Sequence, residues 1–388
     1  MSMARFASAF LALTVACSDG TGPEPGTDFF RQVSVGALRV CALAGSGAGY
    51  CWGMAFDEPP RTDSVPTRYG GDLLFRQLSS AQGTFGDYAC ALTTTGSTLC
   101  QGTALVGYDY AAQISNTLAP LAYQVPLDTV ATASTHFCGL TGAGAAWCWG
   151  DFSAGMRGTV PPEGSSWSLE PNEVVGGLVF TSIGTGISHT CGTTVEGAVF
   201  CWGTASLIGT LSAELDTSST NFGLSILGGA PCAHAPVQTE LPVPARALFV
   251  GESATCAVTT GGELWCWGYL FGEETVTVAP RRVDVPFEVA SVALGSEHGC
   301  MLTTTGQAYC LGVNNVGQLG TGTTGATQDV PVAVAGDLRF TALSASSSTT
   351  CGLTAEGAVF CSGGNGAGQL GTGDTEARDV PVRVRWPG

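Results

Sequence analysis

Short apolar segments separated by glycine, threonine and serine recur along the chain from about residue 28 to its end. They come in pairs, as at residues 89–92 and 98–100, with a short turn sequence between the two members. Short apolar runs bounded by turn residues are typical of β-strands, and closely spaced pairs of such runs are typical of hairpins. The pattern predicts an all-β protein.

One glycine sets the register of each hairpin. A three-residue hairpin loop commonly ends with a residue in the left-handed conformation, which glycine adopts without steric cost. Placing this loop at residues 94–96 makes Thr93 and Ser97 the closing pair, and Cys90 then faces Cys100. Because hydrogen-bonded and non-hydrogen-bonded pairs alternate, the two cysteines fall in a non-hydrogen-bonded pair, with Cα atoms about 4.5 Å apart. A disulfide can form at that separation.

The same hairpin pattern occurs seven times. Of the 16 cysteines, all but two form pairs ten positions apart: Cys41/Cys51, Cys90/Cys100, Cys138/Cys148, Cys191/Cys201, Cys256/Cys266, Cys300/Cys310 and Cys351/Cys361. Glycine always stands six positions after the first cysteine and two positions after the second. The first cysteines of successive pairs are 44 to 65 residues apart. A repeat of about fifty residues is typical of propeller blades and solenoids.

A large side chain, or leucine, precedes each second cysteine. These residues are Tyr50, Leu99, Trp147, Phe200, Trp265, Tyr309 and Phe360. In the predicted register they face small or flexible residues, such as Gly139, Gly192 and Ala257. The other face carries the cysteines and residues such as Leu92, so both faces are apolar. Strands that are buried on both faces are typical of blades packed between two neighbouring blades.

The two ends of the chain indicate how the repeats close. Most repeats are preceded by a Val-Pro element such as Val330-Pro331, whereas the first repeat lacks one and residues 379–384 form a spare copy. The sequence therefore predicts a seven-bladed β-propeller over residues 28–388, closed by pairing of the C-terminal strand with the first blade. Such closure leaves no exposed sheet edge. We expect Trp386 to hold this junction.

The amino terminus has the features of an export signal. Arg5 precedes an apolar run at residues 6–15, which is too short for a stable membrane anchor and suits a signal-peptide core. Residues 13–17, Leu-Thr-Val-Ala-Cys, resemble the lipobox of bacterial lipoproteins. We therefore expect a signal peptide at residues 1–16, a lipid anchor at Cys17 and a flexible tether at residues 17–27. The alternative is ordinary cleavage after Ala16, which would give a secreted protein.

Export decides between two interpretations of the cysteine pairs. Exported proteins keep disulfides, and each bridge here would close a short loop and contribute roughly 2 to 3 kcal/mol. The alternative is that the cysteines are small buried apolar residues that stay reduced. Metal sites prefer ligand pairs about two to four residues apart, which does not fit the observed spacing. We expect a bacterial cell-envelope lipoprotein, on the outer membrane or cell surface, or a secreted protein.

Composition excludes several functions. The chain has 14 basic residues, all arginine, and 31 acidic residues, for a net charge of −17. Without lysine there is no P-loop lysine, no Schiff-base lysine and no polybasic arm. An acidic surface repels nucleic acid and anionic membranes, so we expect no nucleic-acid partner and membrane contact through the lipid anchor only. We expect a monomer.

The last two repeats resemble a known family. Residues 310–322, Cys-Leu-Gly-Val-Asn-Asn-Val-Gly-Gln-Leu-Gly-Thr-Gly, and residues 361–373 are similar to the WGxNxxGQLGxG signature of the regulator of chromosome condensation repeat family. His136, His189 and His298 match the histidine that precedes that family's second strand. The resemblance implies a seven-bladed propeller, similar in fold to a secreted β-lactamase-inhibitor protein. Chromatin binding and nucleotide exchange on a GTPase do not fit an exported, acidic, lysine-free chain.

Candidate chemistry is sparse. Three of the four histidines occupy one repeat position, which indicates a structural hydrogen bond and not catalysis. His234 and the odd cysteine Cys232 form the motif Pro-Cys-Ala-His, which is either a metal-ligand pair or reactive thiol, or a loop cysteine outside any pair. No nucleophile elbow, catalytic triad order or calcium ladder is present. We expect no catalytic residues, no cofactor and no metal.

Aromatic residues are common in the irregular segments that follow the Cys-Trp-Gly strands. They are Phe56, Tyr108, Tyr110, Phe152, Trp167, Tyr269 and Phe271. Aromatic residues on loops often anchor binding interfaces, although any one of them can instead pack over a blade edge. The sequence predicts a non-catalytic binding or scaffold propeller that recognises a protein or glycan through one face. The alternatives are an inhibitor of an exported enzyme, and a hydrolase or lyase with its site on a propeller face.

Overall fold

The chain folds almost entirely into antiparallel β-strands, in a computed structural model that describes residues 29–55, 61–83, 86–101, 118–121, 123–151, 153–159, 167–210 and 231–386. Strands β1 to β7 are Phe30–Val35, Arg39–Ala44, Ala48–Ala55, Arg61–Gly83, Gly86–Thr93, Thr98–Gln101 and Ala119–Pro120. Strands β8 to β15 are Leu127–Thr132, His136–Thr141, Ala146–Asp151, Trp167–Glu173, Phe180–Thr185, His189–Thr194, Val199–Thr204 and Cys232–Gln238. Strands β16 to β23 are Ala245–Val250, Ala254–Thr259, Leu264–Gly268, Thr277–Val283, Val289–Leu294, His298–Thr303, Ala308–Gly312 and Gln328–Ala333. Strands β24 to β27 are Phe340–Ser346, Thr349–Thr354, Val359–Gly363 and Arg378–Arg383. Short 3₁₀ turns at Ser153–Gly155 and Ala205–Leu207 follow β10 and β14.

Hydrogen bonds join the described strands into six sheets, of which the first has seven strands and the others four each. Each four-stranded sheet is a meander in chain order. The first sheet consists of two such meanders that share β4, since residues 61–69 pair with β3 and residues 75–83 pair with β5. We number the seven hairpin units 1 to 7 by their disulfides, from Cys41–Cys51 to Cys351–Cys361. The expectation of seven separate blades is met only in part, because β4 runs unbroken from unit 1 into unit 2.

The predicted hairpin register is confirmed. Cys90 lies opposite Cys100, and the amide of Thr93 donates to the carbonyl of Ser97 at 2.9 Å. Gly96 adopts a φ of 93°, as the three-residue loop requires. The interpretation of the paired cysteines as disulfides is also the one that the structure supports. The bridges are Cys41–Cys51, Cys90–Cys100, Cys138–Cys148, Cys191–Cys201, Cys256–Cys266, Cys300–Cys310 and Cys351–Cys361.

The structure differs from the predicted geometry around the bridges in two respects. The Cα atoms lie 4.1 Å apart in every bridge, including Cys191–Cys201 and Cys256–Cys266, and not the 4.5 Å of an ordinary non-hydrogen-bonded pair. The third strand is also less regular than a simple hairpin, because its pairing with the fourth strand shifts register directly after Cys201 and Cys266. A covalent link draws the two strands together, and the pairing with the fourth strand resumes at the glycine two positions after the cysteine, as at Gly203 opposite Ala233 and Gly268 opposite Thr277.

The small residues opposite the large ones make room for the first strand of the same unit. A Cβ atom on Gly352 would lie 2.4 Å from the ring of Phe340 on β24, and one on Gly192 would lie 2.6 Å from the ring of Phe180 on β12. The core lies between units. Trp202 of unit 4, for example, packs in one cluster with the Cys138–Cys148 disulfide of unit 3.

Neighbouring units are joined by a repeated backbone hydrogen bond. The carbonyl of the glycine in the hairpin turn accepts a bond from the amide that opens the next unit's first strand. Donors and acceptors are Phe75 to Gly47, Phe180 to Gly144, Ala245 to Gly197 and Phe340 to Gly306, at 2.7 to 2.8 Å. The same bond runs from Phe30 of unit 1 to Gly357 of unit 7, at 3.0 Å.

The prediction that the C-terminal strand pairs with the first blade is wrong. Strand β27 hydrogen-bonds to β26, with Val382 opposite Cys361, so the Val-Pro element is the fourth strand of its own unit. The first unit has its own fourth strand in β4, where Thr67 lies opposite Cys51. Units 1 and 7 meet instead through packing, because the ring of Trp386 lies 4.5 Å from that of Phe30.

Candidate functional site

The hairpin units present two different ends. The hairpin-turn face carries the turns between the second and third strands of each unit, and the loop face carries the segments that follow the third strands. Gly53 of unit 1 has a φ of 100°, and a Cβ atom there would lie 2.1 Å from the carbonyl oxygen of Leu38. Only glycine allows the chain to leave the third strand at this point. The second invariant glycine therefore lets the third strand pass close to the turn between the first and second strands, as Gly150 and Gly203 also do.

The disulfides lie in the core and not on either face. Cys201 is fully buried in one cluster with Trp267 of the next unit. Cys266 is fully buried in another cluster, with Met301 of the unit that follows. The paired cysteines therefore stabilise the hairpins and their packing, and they contribute no surface to a ligand site.

The family-like signature in units 6 and 7 builds a self-supporting loop. In unit 7, the buried Asn365 accepts a bond from the amide of Leu370 at 2.8 Å, and its amide group donates to the carbonyl of Glu376 at 3.0 Å. The side chain of Gln369 accepts from the amide of Ala367 at 2.9 Å. Asn314 and Gln318 make the corresponding bonds to amides in unit 6. These polar residues hold the loop and are buried, so they do not form a ligand surface.

The loops of units 3, 4 and 7 each present a carbonyl to the following unit. The tryptophan after the second cysteine donates its indole N–H to this carbonyl: Trp202 to Met156 at 2.8 Å, Trp267 to Leu207 at 3.0 Å and Trp52 to Gln369 at 2.8 Å. The loop residues that supply these carbonyls therefore join neighbouring units. The Cys-Trp-Gly motif is visible in the sequence, but this role of its tryptophan is not.

A cavity of about 90 Å³ lies where the first strands of the seven units end. One lining residue per unit shows the convergence: Val35, Ser80, Thr132, Thr185, Val250, Leu294 and Ser346. Hydrogen bonds link adjacent first strands around it, such as Ser79 to Thr132 at 2.9 Å between the hydroxyls and Val35 to the Ser344 hydroxyl at 3.0 Å. The ends of the seven first strands therefore line one cavity.

Glu252 is the charged side chain that lines this cavity. Its carboxylate accepts bonds from the hydroxyls of Ser296 at 2.5 Å and Ser346 at 2.7 Å, and from the amide of Ser347 at 2.9 Å. It therefore ties unit 5 to units 6 and 7. No sequence pattern pointed to this residue, because the corresponding position is Ile187 in unit 4 and Ser296 in unit 6.

The structural interpretation of the three repeated histidines is confirmed. Nε2 of His136, His189 and His298 lies 2.8 Å from the hydroxyl of Thr190, Thr255 and Thr350, respectively, in the next unit. The hydroxyl of Thr190 in turn donates to the carbonyl of Met156, so Nε2 of His136 is the donor to Thr190. Burial lowers the histidine pKa values, to about 3 for His136 and about 4 for His189 and His298. The rings are neutral at pH 7 and join adjacent units.

Cys232 and His234 lie together at the start of β15. Sγ of Cys232 is 3.5 Å from Nε2 of His234, and Cys232 is buried and takes no part in a disulfide. Strand β15 packs against the 3₁₀ turn of unit 3, where a Cβ atom on Gly155 would lie 2.4 Å from the carbonyl oxygen of Ala233. Within the described ranges no group of three or more His, Cys, Asp or Glu side chains is arranged to hold a metal ion.

Three of the seven predicted aromatic residues lie within the described residues. Phe56, Tyr108, Tyr110 and Phe152 lie outside the described residues. Trp167 begins β11, where its backbone pairs with Asp151. Tyr269 is half-buried, with its amide bonded to the carbonyl of Ser253 at 2.8 Å. Phe271 packs into the core between units 5 and 6, where a Cβ atom on Gly299 would lie 2.3 Å from its ring, so its described role is packing.

Comparison with known families identifies the repeats in the last two units. Two models described as the regulator of chromosome condensation (RCC1) repeat match this chain, one at residues 289–318 and 340–369, the other at 305–353 and 356–388. A curated relative, the mitochondrial RCC1 domain-containing protein RUG3 of Arabidopsis thaliana, is 27% identical over 256 residues. That match covers 61% of this chain and 53% of the relative, so the chain spans about half of the relative's length.

Solved structures show the fold. Human WBSCR16 is 19% identical with a TM-score of 0.70, over 84% of this chain and 86% of that one. Prp20p of Saccharomyces cerevisiae is also 19% identical, with a TM-score of 0.67 over 82% of this chain and 80% of that one. No helix within the described segments is long and apolar enough to cross a membrane. Within residues 289–388 the chain therefore matches the regulator of chromosome condensation repeat, and in these units, as in the other five, a disulfide joins the two middle strands.

Proposed function

We propose that the chain is a non-catalytic binding propeller outside the cytoplasm, in which seven blades form a closed ring and the loop face recognises a protein or glycan. The lipid anchor at Cys17 and the tether at residues 17–27 belong to this proposal. The observation that carries it is the disulfide in every unit. A chain with seven bridges is suited to an oxidising compartment, which the cytoplasm is not.

The contact between the first and last units supports the closed ring. Phe30 bonds to the turn glycine of unit 7 as the first strands of units 2, 4, 5 and 7 bond to the turn glycine of the unit before them. Trp52 reaches the loop of unit 7 as Trp202 reaches the loop of unit 3. In an open stack, the first and last units would not make the contacts that neighbouring units make with each other. In such a ring, units 1 and 7 meet by side-chain packing and hydrogen bonds, so the C-terminal strand does not have to pair with the first unit.

The positions of the histidine, asparagine and glutamine side chains favour binding over catalysis. The three repeated histidines are buried between units, and the Asn and Gln of the loops are bonded to backbone. The irregular loops remain as the surface that differs between units, and such loops on a rigid scaffold commonly carry recognition. Prp20p has been studied for binding to Gsp1p and histones, which are protein partners of that propeller.

Affinity capture from a detergent-solubilised envelope extract tests this proposal. The bait is the mature chain, compared with Tyr108→Ser and Tyr269→Ser, two of the aromatic residues that follow third strands. Tyr123→Ser is the matched control, because Tyr123 is 57% exposed and follows β7 near the opposite face. We expect a partner that the wild type and Tyr123→Ser retain and that the other two variants lose by about tenfold, as for interface aromatics. Equal capture by all four chains, or hydrolase or lyase activity of the purified chain, would contradict the proposal.

A further inference from the structure

Exposed apolar side chains gather on one part of the hairpin-turn face. Of the ten large hydrophobic side chains described as exposed, six lie beside hairpin turns: Phe29, Leu73, Leu74, Tyr123, Val179 and Val195. Leu74 lies opposite Ala48 at the turn of unit 1, and Cγ1 of Val179 lies 2.7 Å from where a Cβ atom on Gly144 would stand, at the turn of unit 3. Val195 is part of the turn of unit 4 and is 73% exposed.

These residues form an arc and not a complete ring. Phe29 lies where units 7 and 1 meet, Leu73 and Leu74 where units 1 and 2 meet, Tyr123 between units 2 and 3, and Val179 between units 3 and 4. At the corresponding positions the junction of units 5 and 6 has Glu288, and that of units 6 and 7 has Arg339. We call the apolar set the apolar arc.

Charges within the arc are of both signs, although the whole chain carries −17. The exposed Arg76 pairs with Asp128 at 3.3 Å. This guanidinium also donates to the carbonyl of Leu127, which holds the pair at the junction of units 2 and 3. The arc therefore combines apolar side chains with this ion pair and with the exposed acidic residues Asp72 and Glu196, and acidic groups favour an uncharged bilayer over an anionic one.

The chain enters the fold on this face. The described chain begins at Phe29, whose carbonyl accepts from the amide of Gly45 in the turn of unit 1 at 2.7 Å. Residues 18–28 separate Phe29 from Cys17. A random coil of this length spans about 20 Å on average, and a fully extended chain spans about 40 Å. An acyl anchor at Cys17 would therefore hold the hairpin-turn face close to the bilayer and leave the loop face directed away.

The geometry points to a lipid surface as the occupant of the apolar arc: the hairpin-turn face of units 1 to 4 docks on a zwitterionic bilayer. This inference extends the anchored arrangement of the proposed function and rests on it for the tether. The acyl chains at Cys17 supply the attachment, and the arc adds a second contact of the fold with the bilayer. Docking also fixes the orientation of the protein on the bilayer, with the loop face directed away from the membrane toward its partners.

Amide hydrogen exchange on vesicles tests the docking. The chain from residue 18 onward carries an amino-terminal hexahistidine tag and is bound to phosphatidylcholine vesicles that contain a nickel-chelating lipid. The tag attaches the chain to the vesicles whether or not cells acylate Cys17, so this experiment tests docking alone. Mass spectrometry of the natural amino terminus tests the lipid anchor separately. We expect exchange at the hairpin turns of units 1 to 4 to slow about threefold or more relative to the unbound chain, with loop-face amides unchanged.

Matched variants make the result specific. The double variant Leu74→Ser/Val179→Ser is expected to lose the protection. Val330→Ser is the control, since Val330 is 66% exposed but lies on β23, away from the arc. Replacing part of the phosphatidylcholine with an anionic lipid should weaken the protection. Protection of the loop face instead, equal exchange in all variants, or the same protection in concentrated solution without vesicles would overturn the inference, the last because a second copy would then cover the arc.

Discussion

The indole N–H of Trp52 donates a hydrogen bond of 2.8 Å to the carbonyl oxygen of Gln369, across 317 positions of sequence. Both groups are buried, and the bond joins the first unit to the last. Trp202 makes the same bond to Met156 between two units that follow each other in the chain. The pair Trp52–Gln369 is therefore a direct measure of ring closure.

Replacing Trp52 by phenylalanine should destabilise the protein at least as much as the same change at Trp202. The Trp52 variant leaves the buried Gln369 carbonyl without its indole donor, which costs about 1 to 3 kcal/mol, whereas the Met156 carbonyl keeps the bond from the Thr190 hydroxyl when Trp202 is replaced. Urea denaturation of the wild type and the two single variants measures both effects. A loss at Trp202→Phe together with no loss at Trp52→Phe would indicate that the first and last units are apart in solution.

The disulfides should be present in the native protein and should stabilise it independently. Alkylation under non-reducing conditions followed by mass spectrometry should find the 14 paired cysteines protected. The double variant Cys90→Ser/Cys100→Ser should lose about 2 to 3 kcal/mol, because the closed loop is short. Cys232→Ser serves as a comparison that leaves every bridge intact. Alkylation of the paired cysteines without prior reduction would contradict this prediction.

The local geometry of the hairpins was predictable because glycine and cysteine each carry a geometric signal. Gly96 requires a particular turn, and that turn placed Cys90 opposite Cys100. The Val-Pro strands were assigned to the wrong unit, because such a strand lies in the chain between two hairpins and its sequence does not state which one it pairs with. The structure decides this by placing Val382 opposite Cys361.

The contacts between units were less predictable. Trp52, Trp202 and Trp267 bond to backbone carbonyls, which have no sequence signature. Glu252 occurs at one unit only, so a search for repeated positions passes over it. The histidines could be recognised as structural because they repeat, but their threonine partners in the following unit could be found only from the three-dimensional arrangement.

Gly352 should not tolerate a side chain. A Cβ atom there would lie 2.4 Å from the ring of Phe340, so Gly352→Ala forces the first strand of unit 7 to shift, at a cost of about 1 to 3 kcal/mol. Gly366 provides the control, since a Cβ atom at that position would meet nothing within 4 Å. Thermal unfolding of both variants checks the difference. Equal melting temperatures would show that the packing against Phe340 is not as close as described.

The three buried histidines should make the protein less stable as the pH falls from about 6.5 to about 4. Their pKa values are lowered to about 3 or 4 in the folded protein, so over this range the unfolded chain binds protons that the folded one does not. Above pH 6.5 the histidines do not lower the free energy of unfolding. Below pH 6.5 each histidine lowers it by up to about 1.4 kcal/mol per pH unit. Urea midpoints between pH 7.5 and pH 4.5 measure this slope. His189→Gln should reduce it by about one proton, whereas Thr255→Val, which removes only the hydroxyl partner of His189, should lower stability and keep the slope. A slope unchanged by His189→Gln would show that this ring takes up its proton in the folded state as well.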